Sequence, residues 1–151
     1  MRISTLLTAG PHDRIMSDGT GIAASGIRAA SLWLEAAASN IANMNDTGPV
    51  SDPSQVLAAG GGQVYQPVSV AQQSQPGGGV TASLQPVQPA STLAYDPGSP
   101  FANVQGQVAM PNVDLATQLV NMTQAVHSFR ANLAVFKAAS HMSKTLLDIF
   151  T

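Results

Sequence analysis

Residues 112–149 read NVDLATQLVNMTQAVHSFRANLAVFKAASHMSKTLLDI. Within this stretch Leu115, Leu119, Met122, Val126, Phe129, Leu133 and Phe136 follow one another in steps of four and three. That alternation is a heptad seam, the pattern of a helix that lays one apolar stripe against another helix. The register continues through Ser140 and Ser143 to Leu147 and Phe150, so the two serines interrupt the apolar character but not the spacing. No proline or glycine occurs from Asn112 to Thr151, and Asn112 or Asp114 supplies an N-cap just after Pro111. The pattern predicts one helix over 112–151, roughly 55 Å long at 1.5 Å per residue. Such a helix is too long for a compact domain of this size and is expected to project and pack on neighbours.

A second seam lies near the other end. Ala23, Ile27, Ala30, Leu34, Ala37, Ile41 and Met44 again step by four and three, which predicts a helix over 21–46. Small residues on this seam let another helix approach closely, and Trp33 sits at its edge. The same spacing also fits an ordinary amphipathic helix in a globular fold. The turn formers of 43–49, ending in Gly48-Pro49, stop it. Residues 1–20 are expected to be a flexible tail. Their apolar patch (Ile3, Leu6, Leu7) is too short and too interrupted for a secretory signal.

The middle, 47–111, differs in kind. It holds nine of the ten prolines and nine of the thirteen glycines, with Asp52 and Asp96 as its only charged residues. Short alternating runs at Val64–Val70, Val80–Leu84 and Val104–Met110 read as strands, with proline keeping the first at a sheet edge. Gly60–Gly62 and Gly77–Gly79 read as turns or joints. The segment is either a small irregular β module or a stretch that orders largely in an assembly, and partial order is the reading taken here. The fold class expected is therefore mainly α: two long terminal helices pairing as an antiparallel coiled coil, with an irregular β and loop insert between them.

Composition narrows the function. Charged residues are 9% and aromatic residues 5%, and the apolar 44% leans on alanine, which buries little area per residue. A chain like this gains much of its burial from other chains. The net charge of −2 and the scattered lysines and arginines argue against nucleic acid. There is no cysteine, which excludes disulfides and thiolate metal sites. His127 and His141 stand 14 residues apart, about 21 Å along a helix and too far to share a metal. Glu35 is the sole glutamate, the seven aspartates are scattered, and no serine has a nucleophile-elbow setting. No catalytic, cofactor or metal site is expected, nor a small-molecule substrate. No apolar run is long enough to span a membrane.

The two ends carry a resemblance. IAASGIRAASLWLEAAASNIANMNDTG, residues 22–48, resembles the N-terminal signature of bacterial flagellar rod and hook proteins: a helix with an early Ser-Gly and an Asn-x-Ala-Asn turn, here Asn40 to Asn43. The last helix is similar to that family's C-terminal helix in Asn112 to Leu115, Leu119 to Met122, Phe129 to Asn132 and Thr145 to Leu147. Tyr95 to Pro100 and Gly106 to Val113 resemble the run before that helix in the proximal type of rod protein, as do Gln66 to Val70 and the glycines before Val80. After Pro49 the chain departs from the family, with no aromatic and basic pair in the loop. Met16 stands about where family members begin, so Met1 to Ile15 reads as a start-site artefact.

The resemblance implies a structural subunit, exported unfolded by the flagellar type III apparatus without a cleaved signal. It would join itself and other rod proteins in the periplasmic rod of the basal body and transmit torque. The residues it implies for assembly are Ile27, Leu34 and Ile41 on the first helix, and Leu119, Met122, Val126, Phe129, Leu133 and Phe136 on the second. Another rod or hook type is the near alternative. A helical adaptor or export chaperone is the distant one, and the proline-rich middle speaks against it.

Overall fold

A computed structural model of the chain describes residues 11–50 and 64–149. The element order is α1 (Pro11–Ala42), β1 (Val68–Ser74), β2 (Val80–Pro86), β3 (Ser91–Tyr95), β4 (Gln107–Pro111) and α2 (Leu115–Ile149). The architecture is mainly helical: two long helices lie against each other, with two small two-stranded sheets in the connection between them.

The first helix differs from its expected bounds. It begins at Pro11, so 11–20 belong to α1 and not to a tail, while 1–10 lie outside the described residues. Proline is tolerated in the first turn, where its missing N–H would have had no intrahelical partner. The helix ends at Ala42, short of the expected 46. Asn43 closes it: its backbone N–H and its side-chain Nδ2 both donate to the Ser39 carbonyl, at 3.1 and 2.8 Å. The 43–46 stretch is a turn.

The second helix begins at Leu115 rather than at 112, and Asp114 is its N-cap. The Asp114 carboxylate accepts from the N–H groups of Ala116 (3.3 Å) and Thr117 (3.1 Å) and from the Thr117 hydroxyl. Asn112 lies just past β4 instead, donating from its backbone N–H to the Ala90 carbonyl and from Nδ2 to the Pro89 carbonyl. Phe150, at the end of the expected seam, lies outside the described residues.

Strands β1 and β2 form an antiparallel hairpin in which Val68 faces Pro86 and Ser74 faces Val80. Residues 64–67 are not strand, so β1 starts after Pro67, which is fully buried. Gly78 and Gly79 form the turn with φ of +88° and +83°, a region costly for any residue with a Cβ. The hairpin tip rests on α1, where a Cβ on Gly78 would meet Ile22 and one on Gly79 would meet Ser25. The Ser25 hydroxyl accepts from the Val80 N–H at 3.0 Å and so fastens β2 to the helix.

Strands β3 and β4 form the second antiparallel pair, Ser91 facing Pro111 and Tyr95 facing Gln107. β3 was not among the expected strands, and β4 starts three residues later than expected. Gly48 exchanges two backbone hydrogen bonds with Ala109, at 3.0 and 2.9 Å, tying the end of the first helix's turn to β4. Val108 and Ala109 beside it are buried. Gly60–Gly62 lie outside the described residues.

Candidate assembly interface

The contact between α1 and α2 recurs at fixed intervals. Gly19 faces Ala139, where a Cβ on the glycine would lie 3.9 Å from the alanine's. Seven residues on, Gly26 faces Asn132 so closely that a Cβ would lie 2.4 Å from Oδ1. Fourteen residues beyond that, Asn40 Nδ2 donates to Gln118 Oε1 at 3.2 Å, and Gln118 stands fourteen before Asn132. These three pairings fall on one heptad position of each helix, which Trp33 completes on α1 and Ala125 on α2. Ala125 and Ala139 are the buried residues of α2, and the heptad register sets Ala125 opposite Trp33, small against large.

This contact position is not the apolar seam. On each helix it precedes the seam by one residue, about 100° of helical turn. Ile27, Leu34 and Ile41 are consequently half-buried at its border, while the small members of their seam, Ala23, Ala30 and Ala37, are buried. On α2, Met122, Val126, Leu133 and Phe136 are half-buried, but Leu119 is 52% exposed and Phe129 37%. The expected assembly residues thus form a flank beside the internal contact. Exposed Leu115, Val120, Val135, Met142, Leu146, Leu147 and Ile149 extend the apolar surface of α2.

The core of the helix pair is made of alanines and one polar residue, Asn40, 1% exposed. Its amide is saturated. Nδ2 donates to the Val68 carbonyl (2.7 Å) and to Gln118; Oδ1 accepts from the Val68 N–H (3.0 Å) and the Tyr65 hydroxyl (3.0 Å). The Ser39 hydroxyl bonds the same tyrosine oxygen at 2.9 Å, and Asp46 accepts from the Tyr65 N–H at 2.8 Å. Asn40 is therefore a helix residue that completes the edge of β1, not a turn residue as its motif suggested. Beside it opens a cleft of about 650 Å³, with Trp33 and Ala37 on one wall and Val68, Val70, Thr117 and Gln118 among the others.

The Asp114 carboxyl is held below its ordinary range. The Thr117 hydroxyl and then the Thr117 N–H lower its pKa, desolvation opposes them, and the Ala116 N–H lowers it least. Among the described residues no three His, Cys, Asp or Glu side chains gather at one point, and no helix is long and apolar enough to cross a membrane.

A family model described as the flagellar basal body rod FlgEFG protein C-terminal region matches residues 104–149, which take in β4 and α2. The flagellar basal-body rod protein FlgC of Salmonella typhimurium is 39% identical over 127 residues, 83% of this chain and 91% of that protein. The chain belongs to the FlgC family of flagellar basal-body rod proteins. FlgC of Buchnera aphidicola is 33% identical over 85% of this chain and 93% of its own length, and FlgC of Agrobacterium fabrum 29% over 89% and 94%. FlgC-family membership makes the chain a structural component of the basal-body rod and not an enzyme. It also sets aside the adaptor or chaperone reading.

Two signature elements of this FlgC-family chain now have physical reasons. In Ser25-Gly26 the serine fastens the hairpin and the glycine admits Asn132. Neither Gly26 and Asn132 nor Asn40 and Gln118 were among the expected site residues. The available signal was the seven-residue spacing of Gly19, Gly26, Trp33 and Asn40, which carries no apolar periodicity.

Proposed function

We propose that this chain polymerises into the proximal rod of the flagellar basal body, its helices paired as an antiparallel coiled coil and its apolar flanks bound to neighbouring subunits. The heptad-spaced contacts support the coiled coil, since residue numbers rise along α1 as they fall along α2. The single observation that carries the polymerisation is the separation of the internal contact from the apolar seam. The internal contact buries chiefly alanine methyls, each worth about 0.8 kcal/mol, whereas a fully buried Leu or Phe contributes roughly 1.5–3 kcal/mol. Leu119, Phe129 and Leu147 therefore keep hydrophobic free energy that the pair itself does not use. Burial against other copies and other rod proteins recovers it.

In this reading the type III apparatus of the flagellum exports the chain, which takes its place in the periplasmic part of the rod. Torque then passes through packed helix interfaces, so the work needs no reacting group. Deleting the gene and scoring swimming, together with rods in isolated basal bodies, tests the reading. Loss of both, restored by the gene, is expected; complete rods and intact swimming would refute it.

A further inference from the structure

We infer that the register of the α1–α2 pair is set by one polar contact, the buried hydrogen bond from Asn40 to Gln118, and not by the apolar seam. This rests on the paired-helix reading above but not on the rod assignment. The small residues of the contact face tolerate sliding: moving α2 by one heptad sets Gly26 opposite Ala125 or Ala139, which fit as well as Asn132 does. The amide does not tolerate it. One heptad in one direction sets Ala125 opposite Asn40, and its methyl cannot accept the second N–H; one heptad in the other carries the start of α2 past Asn40. Asn40 is 1% exposed and its other three hydrogen-bonding positions are held by Val68 and Tyr65, so it cannot turn to find another partner. A single buried asparagine that fixes the alignment of paired helices is a known use of such a residue, obtained at a cost in stability.

The absence of native cysteine allows a direct test in the full chain. Gly19→Cys with Ala139→Cys reports the native register, because 3.9 Å between Cβ positions suits a disulfide. Gly19→Cys with Leu146→Cys reports a slip of one heptad, about 10 Å along the axis and out of reach otherwise. Intrachain bridges are read on non-reducing gels as species of monomer size. The native-register bridge is expected to dominate in the parent chain, and its failure to form would overturn the paired-helix reading together with this one. Asn40→Leu removes four hydrogen bonds at once, so Gln118→Leu, which removes one, is the deciding background. The ratio of native to slipped bridges is expected to fall by roughly tenfold there, the effect of stranding one buried donor. It is expected to stay unchanged in Leu119→Ala, a change in the neighbouring seam. An unchanged ratio in Gln118→Leu, or an equal fall in Leu119→Ala, would overturn the inference.

Discussion

Asn40 holds both backbone polar groups of Val68, donating to its carbonyl at 2.7 Å and accepting from its N–H at 3.0 Å. A helix side chain thereby takes the place of a neighbouring strand at the start of β1, an edge that would otherwise be unpaired inside the molecule. Replacing it by leucine leaves the Val68 N–H and carbonyl and the Tyr65 hydroxyl without this partner. Each stranded group costs about 1–3 kcal/mol, so Asn40→Leu should lose at least about 3 kcal/mol and roughly 10 °C in Tm. Thermal unfolding followed by circular dichroism checks it; a Tm within two or three degrees of the parent, about 1 kcal/mol, would contradict the role.

Gly26 and Asn132 approach closely across the helix pair. Alanine at position 26 would gain about 1 kcal/mol of helix propensity. It would also set a methyl 2.4–2.7 Å from the Asn132 amide atoms, and such overpacking costs about 1–3 kcal/mol. The clash should win, and Gly26→Ala should be less stable than the parent. In an Asn132→Ala background the clash is gone, and the same change should become neutral or stabilising. A double-mutant cycle on melting temperatures reads the reversal of sign.

Asp114 gives the account its pH dependence. Its pKa is lowered from 3.8, first by the Thr117 hydroxyl. A group whose folded pKa is depressed contributes stability at pH above its unfolded value and loses it as pH falls through the folded one. Asp114→Asn keeps a capping oxygen but no charge, so it should melt below the parent at neutral pH. The two should converge in acid, below the unfolded carboxylate value. Melting curves of both proteins across that range test it; a gap that persists in acid would assign the difference to something other than the carboxylate.

The two helices were legible because leucine, phenylalanine and isoleucine recur at heptad spacing, and that recurrence survives any tertiary context. The start of α1 was not. Residues 11–20 carry no heptad seam, yet the helix runs through them, and Gly19 within them packs against Ala139 of α2. β3 was missed because Ser91–Tyr95 is five residues between Pro89 and Pro97 and pairs with a strand sixteen residues away. The contact position itself was invisible to an apolar search, since Gly26, Asn40, Gln118 and Asn132 are not apolar. Periodicity found the flank that remains open; the face already used inside the chain is written in small and amide residues.

The flank carries the central claim. Phe129 is 37% exposed and is not among the buried residues of the helix pair, so Phe129→Asp should cost the single chain some stability but leave it folded and helical. Buried against a neighbour, the same aspartate would be an unpaired charge in an apolar seam, costing several kcal/mol per contact. The deciding measurement expresses Phe129→Asp in the deletion strain and examines isolated basal bodies for rods, with circular dichroism of the purified variant beside it. The account predicts parental helix content with no rods and no swimming. A folded variant that builds complete rods would contradict it.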